Sequence, residues 1–121
     1  MEKKFTIKRN EREFFRAYVE LIKPFLKGTR TREADVFAEL LYWNYKKQGI
    51  KDKEDRFMLI LSKANRRAME AALDMKKESF RNALTALRSR KLLDQDNCIP
   101  DAYLVSPKNK KFQLIFNFVV D

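Results

Sequence analysis

Residues 62–91 narrow the choice of fold more than any other stretch of this chain. Two short amphipathic helices fit it, one over 64–73 and one over 77–90, joined by a tight turn around Asp74–Lys77. In the second helix Phe80, Ala83, Leu84 and Leu87 recur at helical spacing, which assigns them to one buried stripe. The opposite side carries Lys77, Glu78, Arg81, Asn82, Thr85 and Arg88. In the first helix, Ala64, Ala68, Ala71 and Ala72 suit close packing against a neighbour. The stretch holds nine Lys and Arg against three Asp and Glu, so most of the chain's net charge of +10 sits here.

The rest of that charge lies in residues 1–30, while 31–61 are balanced and 92–121 slightly acidic. Such segregation is more than solubility needs, and with a pI near 9.8 it favours a polyanionic partner. Nucleic acid comes first and an anionic membrane surface second. At 121 residues and 45% hydrophobic content the chain can bury a core as one folded unit, so a disordered basic tail is excluded.

Enzyme chemistry is poorly supplied. Histidine is absent, which removes the usual general base and the commonest metal ligand. Cys98 is the single cysteine, so neither a zinc site nor a Cys–His nucleophile can be assembled. Two glycines, Gly28 and Gly49, cannot build a glycine-rich phosphate loop. Asp52, Glu54 and Asp55 cluster, but among Lys51, Lys53 and Arg56 they read as a solvated, salt-bridged loop. No catalytic residue, metal or cofactor is expected. A lone cysteine fits a reducing compartment. No apolar run follows the charged Met1–Lys4, and none nears the roughly 18–20 residues of a membrane span. The expected location is cytoplasmic, in the host cell if the protein is phage-encoded.

The remaining elements follow from the same signals. Lys4–Lys8 reads as a short strand or extended arm. Asn10 with Glu13 opens a helix over 11–27, interrupted by Pro24 and ended by Gly28. Thr31 caps a helix to about Gln48, with Ala34, Phe37, Leu40, Leu41 and Tyr45 inside. Tyr42 and Trp43 widen that surface as core or dimer interface. Residues 57–61 read as a short strand, 103–105 as another, and 112–120 as a long strand after a lysine-bearing turn.

The order helix, strand, helix, turn, helix, hairpin resembles winged helix-turn-helix DNA-binding domains of bacterial, phage and plasmid proteins. The resemblance covers residues 62–107. It rests on Leu73-Asp74-Met75 as the turn, on Phe80, Leu84 and Leu87 as anchors of the recognition helix, and on residues 87–93 as its exit. Lys91 stands where the pattern often has Gly, and Lys76 where it often has Ser or Thr. Residues 101–107 also resemble a wing strand of plasmid replication initiators, with Ser106-Pro107 in place of Asn-Pro. The implied fold class is mainly α with a small antiparallel β-hairpin wing (α+β). The implied division is an N-terminal arm and helix over 1–30, a candidate dimerisation element, and a winged domain over 31–121.

Such a domain places the helix over 77–90 in the major groove of double-stranded DNA. Lys77, Arg81, Asn82 and Thr85 then face base edges, with Arg81 suited to guanine and Asn82 to adenine. Arg66, Arg67, Lys76, Arg88, Arg90 and Lys91 suit phosphates, and Lys108, Lys110 and Lys111 would touch the flanking backbone from the wing. The expected function is a phage- or plasmid-type transcription regulator or replication-initiation factor, acting as a homodimer through helix 11–27 and part of 31–48; the alternative for helix 11–27 is a purely intramolecular role, covering the helix 31–48 or the sheet. The alternatives are a structural or adaptor protein of a virion or other assembly, holding a protein partner, and a nonspecific packaging protein.

Overall fold

The computed structural model describes residues 10–26 and 28–105, which form five α-helices and two short 3-10 turns. Helix α1 spans Glu11–Ile22. Its start is set by Asn10, whose Oδ1 accepts the Glu13 N–H at 2.9 Å, and by Glu11 and Glu13 at the positive end of the helix dipole. Pro24, which has no N–H to continue the ladder, turns the chain into a 3-10 segment at Lys23–Phe25. Gly28 follows with φ +76°, a backbone region that side chains disfavour.

Helix α2, Thr31–Lys46, is the central element and packs against α1, α3, α4 and α5. Ala34, Val36, Phe37, Ala38, Leu40 and Leu41 are all buried on it, a wider apolar surface than one amphipathic stripe. Phe14, Phe15, Tyr18, Val19 and Ile22 of α1 join the same core, so the apolar side of the N-terminal helix is covered within the chain.

Helix α3, Lys53–Ile60, corrects the strand expected at 57–61 and the loop expected before it. Asp52 Oδ1 accepts the Asp55 N–H at 2.9 Å, and Glu54 and Asp55 occupy the first turn. Phe57 and Ile60, three apart, face the core, while Met58 and Leu59 point outward. The acidic cluster is a helix start.

Helices α4, Lys63–Leu73, and α5, Lys77–Ser89, match the expected pair to within a residue at each end. Asp74 between them has φ 52° and ψ 51°. Its N–H donates to the Ala71 carbonyl at 3.2 Å and the Met75 N–H to that of Glu70 at 2.9 Å, a Schellman closure of α4. Arg32 Nη1 donates to the Leu73 carbonyl at 3.1 Å and ties this turn to α2. Met69 and Leu73 carry the packing of α4. Ala64, Ala68, Ala71 and Ala72, expected to pack, face solvent.

The wing is the second correction. Among the described residues there is no strand, so the α+β winged class does not hold for them and the fold is mainly helical. At 101–104 the backbone bonds locally: the Tyr103 N–H donates to Pro100 and the Leu104 N–H to Asp101, at 3.0 and 3.1 Å. Tyr18 Oη donates to the Tyr103 carbonyl at 3.0 Å, and Lys53 Nζ to Asp101 Oδ1 at 2.9 Å. That hydrogen bond holds the Asp101 carboxyl below its usual range. The N–H groups of Tyr103 and Leu104 and the carbonyls of Asp101 and Tyr103 are thereby taken, and they are not available to a neighbouring strand. The arm at 4–8, the strand at 112–120 and the turn before it lie outside the described residues.

The exit from α5 is another Schellman closure. The Lys91 N–H donates to the Arg88 carbonyl at 3.0 Å and the Leu92 N–H to that of Leu87 at 2.9 Å. Lys91 takes the left-handed position, at φ 61°, where glycine is the usual residue. Lys91→Gly should therefore raise stability slightly, by up to about 0.5 kcal/mol, the αL strain removed less the extra chain entropy of glycine and the lost interaction of the charge with the helix C-terminus. Urea denaturation should show a higher midpoint at unchanged m-value.

Candidate nucleic-acid interface

Helix α5 is held by its inner stripe. Phe80, Ala83, Leu84 and Leu87 are all buried, and Leu92 and Leu93 continue the same core beyond its end. The outer positions 78, 81, 82, 85 and 89 then fall on one exposed face, offering Glu78, Arg81, Asn82, Thr85 and Ser89. The four residues expected to read bases, Lys77, Arg81, Asn82 and Thr85, are all exposed.

The side chains of Lys77, Arg81 and Asn82 have no hydrogen-bond or ion-pair partner among the described residues. Lys63, Arg67, Lys76 and Lys91 are exposed and unpaired in the same sense. Lys63 was not singled out from the sequence. Its place four residues before Arg67, on the same side of α4, is the signal that identifies it. Lys76 is the N-cap of α5 but supplies no acceptor, so the first N–H groups of that helix have no side-chain cap.

Three of the expected phosphate contacts have structural duties. Arg90 Nη1 pairs with Glu33 Oε1 at 3.0 Å, and its Nε donates to the Gly28 carbonyl at 2.9 Å. This joins α5 to the start of α2 and to the turn before it. Arg88 donates through Nη1 to Asn97 Oδ1 and through Nη2 to Thr85 Oγ1, the latter at 3.2 Å. Arg66 is half-buried, with Nε donating to the Leu61 carbonyl at 2.8 Å. Lys108, Lys110 and Lys111 lie outside the described residues.

Asn97, which holds Arg88, sits in a tight turn at φ 62°. Asp94 Oδ1 organises that turn by accepting the N–H groups of Asp96 and Cys98 at 2.9 and 3.0 Å. Cys98 is buried there, and burial, with Asp94 close by, raises the pKa of its thiol.

Among the described residues, one surface depression of about 490 Å³ lies away from the helix pair and another of about 320 Å³ borders it, lined by Arg66 and Asn97 among others. The larger is lined by Asn10, Glu11, Arg12, Tyr42 and Lys46. Its cations are already engaged, Lys46 with Glu11 at 3.2 Å and Arg12 over the Tyr42 ring at 4.6 Å. Among the described residues no group of three or more His, Cys, Asp or Glu could hold a metal ion, and no helix is long and apolar enough to cross a membrane.

Compared with protein-family models, curated protein sequences and solved structures, the chain has no significant match. The reading of this surface therefore rests on its own geometry.

The two classes of arginine should separate on mutation. Arg90→Ala leaves Glu33 buried without its cation and should lower stability by about 1.5–3 kcal/mol, the range for hydrogen bonds to charged groups. Arg81→Ala, at an exposed and unpaired site, should stay within about 0.5 kcal/mol of the parent. Urea titrations of both variants make the comparison.

Proposed function

We propose that the protein binds duplex DNA in a sequence-dependent way, laying the outer face of α5 in the major groove, and acts as a transcription regulator or replication-initiation factor of phage or plasmid type. The observation that carries this reading is the face of α5 itself. Arg81 and Asn82 are exposed, and without a partner among the described residues, on a helix whose other side is locked into the core. A recognition helix needs that combination, because base reading requires donors and acceptors held in register rather than on a mobile segment.

Phosphate contacts fall to the free cations. Lys76 and Lys77 flank the uncapped N-terminus of α5, where backbone N–H groups and the helix dipole both favour an anion. Lys63 and Arg67 present a second positive edge on α4. The outer face of α5 is chemically mixed, with Glu78 beside Arg81 and Asn82, which favours reading over nonspecific packaging. A helix of this length reads only a few base pairs, so two copies acting together are part of the proposal.

A second reading, an adaptor that holds a protein partner, is favoured by one observation. Met58 is 74% exposed and Leu59 41%, while Ala64, Ala68, Ala71 and Ala72 form an exposed strip of small apolar side chains on α4 beside Lys63 and Arg67.

Fluorescence anisotropy with a pooled random-sequence duplex, titrated across salt, tests the first reading. Binding should be micromolar or tighter and fall steeply as salt rises. Selection from the pool should return a preferred site. On that site Arg81→Ala should cost about 1–3 kcal/mol of discrimination at one position. Lys76→Ala should weaken all sequences alike and flatten the salt slope by about one unit. Absence of binding at low salt would overturn the DNA reading and leave the apolar side of α3 and α4 as the working surface.

A further inference from the structure

Thr85 stands at the middle of the outer face of α5, one turn beyond Arg81 and Asn82, and it differs from them in one respect. Its hydroxyl is already engaged on both sides. Oγ1 donates to the Arg81 carbonyl at 3.2 Å and accepts from Arg88 Nη2, also at 3.2 Å. Arg88 is itself fixed, because Nη1 donates to Asn97 Oδ1 in the turn organised by Asp94. A chain of hydrogen bonds thus runs from the 94–98 turn through Arg88 to Thr85, and it pins the threonine side chain in one rotamer.

A hydroxyl has one proton to give, and that proton is bound to the helix backbone. The side chain remains exposed all the same. With its proton and one of its two lone pairs taken, the hydroxyl can donate to no ligand and keeps a single acceptor site; beside it the exposed side chain offers its γ-methyl. In the major groove the feature that a methyl group meets favourably is the C5-methyl of thymine. We infer that Thr85 is an apolar specificity determinant, which selects a thymine by methyl–methyl contact one helical turn from the bases met by Arg81 and Asn82. The inference rests on the reading of α5 as the DNA-facing helix.

The test uses the full chain and the duplex recovered by selection from a random pool. Each thymine of the site is replaced in turn by deoxyuridine, which removes the 5-methyl and leaves every hydrogen-bonding group in place. One position should weaken binding about fourfold, the equivalent of roughly 0.8 kcal/mol for one buried methyl. The variant Thr85→Ser keeps the hydroxyl and its two hydrogen bonds but lacks the methyl. It should bind the thymine and deoxyuridine duplexes equally at that position, while still discriminating at the position read by Arg81. If no thymine is methyl-sensitive, or if Thr85→Ser remains as sensitive as the parent, the inference fails and DNA recognition by α5 stands. If the protein binds no duplex, the reading of α5 fails and this inference goes with it.

Discussion

A helix packed against four neighbours leaves little room for charge, yet α2 carries two buried carboxylates, Glu33 and Glu39, exposed by 7% and 2%. A carboxylate taken out of water without a partner costs several kcal/mol, so each must recruit a cation from elsewhere in the chain. Glu39 Oε1 takes Arg12 of α1 at 2.9 Å, and its Oε2 accepts from Trp43 Nε1 at 3.3 Å. Glu33 takes Arg90 from the end of α5 and also accepts the Arg30 N–H at 3.4 Å. Asn44, the remaining buried polar side chain of α2, accepts from Arg56 Nη1 of α3 at 2.7 Å. Three arginines from three helices thus converge on the polar groups of one. The hydrophobic contacts are non-directional, whereas these pairs fix how α1, α3 and α5 are set around α2.

That demand decides which cations remain for a ligand. The chain is strongly basic, but basicity alone overstates the usable surface. Arg12, Arg56 and Arg90 hold the fold, and Arg32 caps the end of α4. Arg66 ties the start of α4 to the end of α3, and Arg88 ties α5 to the turn at 94–98. What remains on α4, the turn and α5 is Lys63, Arg67, Lys76, Lys77, Arg81 and Lys91, mostly lysines, with Arg81 on the outer face of α5. The division follows the chemistry of the two side chains. A guanidinium is a rigid fork suited to fixed geometry, at a buried carboxylate or a guanine edge, whereas an ammonium on a flexible stem suits a phosphate.

How much of this was legible in the sequence varied with the kind of signal. The bounds of α4 and α5 were legible because apolar periodicity and turn chemistry agreed around Asp74. The start of α1 was legible from Asn10 and Glu13. Residues 57–61 were misread because five apolar residues are too few to separate a period of 3.6 from one of 2. The arbitrating signal lay upstream, where Asp52 precedes Asp55 by three residues, and mixed charge disguised it as a loop. The strand at 103–105 was misread for a related reason: Tyr103-Leu104-Val105 is too short an apolar run to declare its conformation, and Pro100 and Asp101 set up a 3-10 turn whose hydrogen bonds stay local. For the surface, exposure of Lys77, Arg81, Asn82 and Thr85 followed from the helical wheel. The engagement of Arg88 and Arg90 did not, because their partners Asn97 and Glu33 are set by tertiary packing that no local pattern encodes.

The two turns that bracket α5 add a further constraint. Schellman closures are usually made with glycine, and this chain makes two of them with Asp74 and Lys91. Aspartate tolerates the left-handed region through local hydrogen bonding, so Asp74 is a mild exception. Lysine has no such compensation, and its placement at Lys91 sets stability against something else. The charge is well placed against the negative end of the helix dipole, but that interaction is worth only about 0.3–1 kcal/mol, less than or comparable to the strain. The structural return for the strain at Lys91 is therefore at best partial. The left-handed lysine falls at the C-terminal end of α5, and its side chain has no partner among the described residues. Arg90, one position earlier, is held by Glu33, so the two adjacent cations at this end of α5 differ: one is engaged by the fold and the other has no partner among the described residues.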